Sequence, residues 1–109
     1  MNDRSTEAAA WCAGVFEGEG YIYLTKDGGT EIGISMCDED VVRKFHALVG
    51  SGNVTSRPGR GDGWQEVFTW RAGERWDAMD VLKTLRPFMG KRRGAKADEA
   101  MTRIRSRLH

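Results

Sequence analysis

Two glutamates, Glu17 and Glu19, flank Gly18 and are followed at once by Gly20. They close a stretch of small residues that begins at Ala9. They precede Tyr21-Ile22-Tyr23-Leu24-Thr25, which alternates as a strand does. Carboxylates at such a helix-to-strand junction can point away from the body of a protein. Ala10, Gly14 and Gly18 recur every four residues and share one helix face. The near absence of side chains there would let a second backbone approach closely. The same spacing pairs helices in membranes, but this sequence has no long apolar run, so only the geometry carries over. Two copies packed along that face would bring their Glu19 carboxylates together. Clustered carboxylates repel unless a cation sits among them, and a hard, oxygen-seeking ion such as Mg²⁺ or Ca²⁺ suits that place. The plain alternative is a pair of solvated glutamates at a helix end and a common Gly-x-Gly turn.

The bulk properties narrow the class. A chain of 109 residues holds one domain with one core, and 39% hydrophobic with 30% charged residues is the balance of a soluble globular protein. No signal peptide and no membrane span is evident, so a cytoplasmic protein is expected. Cys12 and Cys37 lack metal-ligand spacing and are expected as reduced, packed thiols. The net charge is only +1, but its distribution is uneven. Residues 86–109 carry eight Lys/Arg against two Asp/Glu, a net of +6, while residues 1–85 carry −5. That basic end is compatible with phosphate contact and equally with a solvated basic helix. The glycine-rich segment 58–63 is not a phosphate-cradling Walker loop, since no Gly-Lys-Ser/Thr ends it. His46 and His109 have no context that would make either a catalytic base.

The elements that must position the glutamates follow from pattern. A first helix starts at a Ser5 or Thr6 cap and runs to about Glu17, with Trp11, Val15 and Phe16 expected in the core. Strands over 21–25 and 31–36 flank an Asp-Gly-Gly turn. Ile22, Leu24, Ile32, Ile34 and Met36 face one way, and Tyr21, Tyr23, Thr25, Glu31, Gly33 and Ser35 the other. Asp38 caps a second helix whose apolar stripe ends at Gly50. Short strands over 53–57 and 65–71 follow, the second burying Phe68 and Trp70. A third helix over 75–86 should bury Trp76, Met79, Leu82 and Leu85 before Pro87 stops it. After the basic run Lys91-Arg92-Arg93, a last helix places Ala97, Ala100, Met101, Ile104 and Leu108 on one face.

Cys12-Ala13-Gly14-Val15-Phe16-Glu17-Gly18-Glu19-Gly20 resembles the signature of the LAGLIDADG homing endonucleases. Cys12 replaces the first leucine, and Glu replaces Asp at both acidic positions. The segment Leu85-Arg86-Pro87-Phe88-Met89 with its basic run resembles the family's Leu-x-Pro-aromatic segment, which precedes a catalytic lysine. Here that position is Arg92, with Lys91 one place before it, and arginine is a poor base. The resemblance covers roughly residues 8–105. It implies an α+β fold of order α-β-β-α-β-β-α-α with a four-stranded antiparallel saddle sheet. Residues 1–109 would form one LAGLIDADG domain, half of a homodimer.

The implied activity is Mg²⁺-dependent hydrolysis of both strands of a long, nearly palindromic DNA site, leaving short 3′ overhangs. Manganese would substitute, and calcium would bind without supporting cleavage. No membrane or small-molecule partner is expected, and the protein would lie with the nucleoid. Glu19 and the Gly18 carbonyl would hold the metal. Arg92 and Lys91 would steady charge on the phosphate, and Asp38 would order water or merely cap its helix. Tyr21, Tyr23, Thr25, Glu31, Ser35, Thr55, Arg57, Arg60, Thr69 and Arg71 would meet the DNA. Ala10, Gly14 and Gly18 would form the dimer seam, and Glu17 would brace it. Two other readings stand beside this one: a LAGLIDADG-like DNA- or RNA-binding protein without cleavage, such as a maturase or regulator, and a small interaction protein.

Overall fold

The computed structural model describes residues 5–59, 63 and 65–107. Ser5 opens the first helix, α1 (Thr6–Glu19): its hydroxyl accepts the Ala8 N–H at 3.1 Å, and Glu7 adds negative charge to the first turn. Two strands follow, β1 (Gly20–Leu24) and β2 (Thr30–Met36), then α2 (Glu39–Val49), β3 (Asn53–Arg57) and β4 (Val67–Ala72). The chain closes with α3 (Arg75–Leu85), a 3₁₀ turn (Arg86–Phe88) and α4 (Lys91–Arg107). Gly50 ends α2 in the left-handed region, φ 78°, where a side chain would be strained.

All four strands pair antiparallel in the order β1-β2-β4-β3. The helices cover one face of this sheet. Ile32 and Ile34 of β2 and Phe68, Trp70 and Ala72 of β4 point into it. Trp70 is fully buried, meets Phe45 edge-on with centroids 4.8 Å apart, and donates its indole N–H to the Ser51 carbonyl at 2.8 Å. Removing a buried indole of this kind costs about 3–5 kcal/mol. Among the described residues no polar or charged residue is buried in the core. The opposite face of the sheet is bare.

The structure corrects several sequence expectations. α1 runs to Glu19, so both glutamates lie in its last turn. It buries Ala9, Cys12, Ala13 and Phe16, while Trp11 and Val15 are half-buried and pack against that core as expected. Trp11 also stacks under Lys44, whose ammonium lies 4.3 Å from its ring centre. Trp76 is 71% exposed, and α3 buries Ala78 and Val81 along with Met79, Leu82 and Leu85. Cys37 is exposed rather than packed. His46 has a partner, the Gly52 carbonyl at 3.1 Å from Nε2. Gly94 joins the buried face of α4, and Leu108 lies outside the described residues. No helix among the described residues is long and apolar enough to cross a membrane.

Candidate functional site

Glu17 and Glu19 have the same side chain and different surroundings. Glu17 Oε1 accepts the Gly90 N–H at 2.7 Å. Gly90 stands at the entrance to α4, and its carbonyl accepts the Gly94 N–H at 2.8 Å. The carboxylate of one helix thus satisfies an orphan donor at the start of another. Arg93 of α4 reciprocates. Its Nη1 donates to the Gly20 carbonyl at 2.7 Å and its Nη2 to the Glu17 carbonyl at 3.1 Å. The same guanidinium lies over the Phe16 ring at 5.5 Å. A cation therefore closes the negative end of α1 while an anion closes the positive end of α4.

Glu19 takes no part in this exchange. It is exposed, and its carboxylate has no hydrogen bond or ion pair among the described residues. The carbonyls of Gly18 and Glu19 belong to the last turn of α1, where intrahelical partners run out. The donor set is all hard oxygen, which fits a divalent cation such as Mg²⁺. Yet no group of three or more acidic, histidine or cysteine side chains that could hold a metal occurs among the described residues. One exposed carboxylate and the carbonyls beside it do not by themselves make up the six or more oxygens such a cation takes.

Lys91, Arg92 and Arg93 crowd the first turn of α4, which has no acidic residue of its own, so the nearby anion is Glu17 of α1. Cations are unfavourable at a helix N-terminus. Arg93 is drawn off to α1, whereas Lys91 and Arg92 are exposed. Arg92, Arg93, Lys96 and Glu99 of α4 line an open groove of about 510 Å³ facing the Gly20–Ile22 segment of β1, and Glu99 lies 4.0 Å from Lys96.

The bare sheet face carries polar residues in rows. Next to the Glu19 end, the Ser35 and Thr69 hydroxyls lie 2.9 Å apart, with Thr55 in register beyond Thr69. The following row is Tyr21, Gly33, Arg71 and Asn53. Tyr21 donates to Glu31 Oε2 at 2.9 Å, and Arg71 Nε lies 3.5 Å from the same oxygen. Partial burial raises the Tyr21 phenol above its ordinary pKa; Glu31 adds to the rise and Arg71 opposes it. The Tyr21 hydroxyl, and then the Glu31 charge, hold Arg71 firmly in its charged form. Tyr23 is 55% exposed on the edge strand.

The remaining sequence candidates divide. The Thr25 hydroxyl is tied into the turn, bonded to Asp27 and accepting the Gly29 N–H at 2.6 Å. Those contacts hold the Asp27 carboxyl below its usual range. Asp38 sits at the cap position of α2, but its side chain makes no cap hydrogen bond. Only its carbonyl does so, accepting the Val42 N–H at 3.3 Å. The exposed carboxylate lines an open groove with Cys37, Glu39, Asp40 and Gln65. Arg57 is exposed at the end of β3, and Arg60 lies outside the described residues. Ala10, Gly14 and Gly18 are all exposed, and a Cβ added at either glycine would meet nothing within 4 Å. That face of α1 is open in the single chain.

No family model matches the sequence, and no curated protein matches it by sequence. Solved structures do match the fold. The homing endonuclease I-CvuI, in complex with the I-CreI target in 2 mM Mg with the DNA not cleaved, aligns with a TM-score of 0.69 at 17% identity over 89% of this chain. The intron-encoded homing endonuclease I-CeuI, complexed with DNA, aligns with a TM-score of 0.73 at 11% identity over 96% of the chain. I-TnaI, a further homing endonuclease, gives 0.63 at 18% over 84%. The fold is that of the LAGLIDADG homing endonucleases. The chain spans 65% of the length of I-CvuI and 57% of that of I-CeuI.

Within the LAGLIDADG fold, Glu19 ends the motif helix and β1 leads straight from it into the sheet. β2 runs antiparallel to β1, so Asp38, just beyond its end, returns to the same edge of the sheet as Gly20. Sequence reasoning missed Arg93, because its acceptors are backbone carbonyls more than seventy residues away. The one available signal was the basic run itself, in a position where a helix disfavours it.

Proposed function

We infer that two copies of this chain form a metal-dependent, site-specific endonuclease acting on double-stranded DNA. The observation that carries this reading is the Glu19 carboxylate. It is exposed and partnerless among the described residues, it sits at the tip of α1, and it adjoins a bare polar sheet face in a LAGLIDADG fold. The open stripe of Ala10, Gly14 and Gly18 offers the seam along which the two tips would meet. Each Glu19, with the Gly18 carbonyl, would hold a divalent ion, Mg²⁺ or Mn²⁺. Such an ion lowers the pKa of bound water and polarises a phosphodiester for in-line displacement.

The chain's own residues do the rest. Arg93 and Glu17 fix the helix tip that carries Glu19. Arg92 and Lys91 meet the charge that builds on the phosphate. An arginine does not surrender its proton, so Arg92 orients and neutralises rather than acting as a base. Asp38, with a carboxylate not used in capping, orders water. The sheet face binds the duplex through its polar rows, and twofold symmetry makes the site nearly palindromic. Cuts on both strands leave short 3′ overhangs.

The test joins the two DNA flanks of the gene without the insert and incubates them with wild type and Glu19→Gln, in Mg²⁺ and in EDTA. Discrete double-strand cuts by wild type in Mg²⁺ alone are expected, with Glu19→Gln still bound but uncut. Cleavage by purified Glu19→Gln would remove the mechanism. One observation favours a second reading, a DNA- or RNA-binding protein without cleavage: Arg92 stands where the resemblance places a lysine. A specific mobility shift without cutting by either protein would establish it.

A further inference from the structure

On the bare face of the sheet one row crosses all four strands in register, from Tyr21 through Gly33 and Arg71 to Asn53. Gly33 leaves a gap in the middle, and the Tyr21 phenol lies over it. A Cβ at Gly33 would meet the Tyr21 oxygen at 2.5 Å and the Trp70 carbonyl at 2.7 Å. Through that gap Tyr21 reaches Glu31 Oε2 at 2.9 Å, and the same oxygen faces Arg71 Nε at 3.5 Å. Arg71 is about half exposed (54%) and forms an ion pair with that carboxylate. A carboxylate on a surface that meets phosphates is repelled unless it has a cation of its own, and Glu31 has one. An arginine biased toward one position by such a pair loses less rotamer freedom on binding than a free one, and its planar fork matches O6 and N7 of guanine in the major groove.

We propose that Arg71 is a specificity-determining residue that selects guanine in the bound duplex, and that Glu31, steadied by Tyr21, positions Arg71 instead of contacting a base. The proposal rests on the DNA-binding reading above. The Arg71 row lies two residues further along the strands than the Ser35, Thr69 and Thr55 row, which is about 7 Å. The selected guanine therefore lies about two base pairs further from the Glu19 end than the base over the hydroxyls.

The experiment selects bound sequences from randomised duplex DNA with wild type, Arg71→Lys, Arg71→Ala and Glu31→Gln, and compares base preference position by position. Wild type should prefer guanine at one position of each half-site by about 5- to 150-fold. Both Arg71 variants should lose that preference and leave the other positions unchanged, an outcome that a general loss of folding does not produce. Glu31→Gln should keep guanine but weaken the preference several-fold. An Arg71→Ala profile identical to wild type would overturn the proposal while leaving the DNA-binding reading intact. So would a Glu31→Gln profile that exchanges guanine for another base, because Glu31 would then be the reader. If wild type enriches no sequence at all, the reading of the sheet as a DNA surface falls, and the proposal with it.

Discussion

Two glutamates two positions apart are separated in role by what reaches them. Glu17 is held by Gly90, and Arg93 closes the same helix end, while Glu19 is left open. Glu17→Gln keeps an acceptor for the Gly90 N–H and loses only the charge on the helix end. It should cost about 0.3–1 kcal/mol in urea denaturation and leave cleavage intact. Arg93→Met removes two charge-assisted bonds from part-buried carbonyls. It should cost about 2 kcal/mol and also lower cleavage, because the tip carrying Glu19 loses its brace. Equal cleavage rates for Arg93→Met and wild type would show that the brace is not needed. The acidic pair stood out in the sequence by its spacing, and the resemblance implied different roles for its two positions. Arg93 was not, because a side chain that bonds to backbone carbonyls leaves no mark on the residue types opposite it.

At the scale of elements, every helix and strand was legible from period and punctuation, but the buried sides of two helices were not. Alanine, cysteine and glycine contribute little to an apolar pattern, so Trp11 and Val15 outweighed Ala9, Cys12 and Ala13 in α1. In α3 Trp76 looked like a core residue and stands in solvent. Trp76→Gln should therefore change stability by no more than about 0.5 kcal/mol, while Trp70→Ala should cost about 3–5 kcal/mol, both by urea titration. The pH response also belongs here. Arg86 Nε and Nη2 hold Asp98 Oδ1 and Oδ2 at 2.8 and 3.0 Å, joining the 3₁₀ turn to α4. Arg86 lowers the Asp98 pKa below its unfolded value. The pair thus stabilises above the ordinary aspartate range, and the contribution is lost as pH falls through the depressed value. Asp98→Asn should flatten the acid limb of a stability-against-pH curve and leave its neutral limb nearly parallel to that of wild type.

For the whole molecule the proposed pairing of two chains turns on the open stripe on α1. A Cβ at Gly14 meets nothing within the chain, and leucine is a better helix former than glycine by roughly 1 kcal/mol. Gly14→Leu should therefore leave the single chain as stable as wild type or slightly more so. In sedimentation it should run as a monomer, and it should lose cleavage. A dimeric Gly14→Leu protein would move the seam elsewhere. The charge separation between residues 86–109 and the rest bears on a second whole-molecule prediction: the logarithm of DNA affinity should fall linearly with the logarithm of salt concentration. The stripe of Ala10, Gly14 and Gly18 was legible as spacing, but its openness was not, since that depends on which neighbours the fold withholds.

The exchange between Glu17 and Arg93 has a consequence for the order of folding. The bonds that join α4 to the end of α1 and to the β1–β2 turn span 73 to 80 residues of chain. Contacts so distant in sequence form late, after the loops between them have been closed. The Thr6–Glu19 segment can coil into a helix early, but the tip carrying Glu19 acquires its fixed bearing only when α4 docks. A growing chain that has not yet released α4 thus carries the acidic motif without the contacts that set its direction.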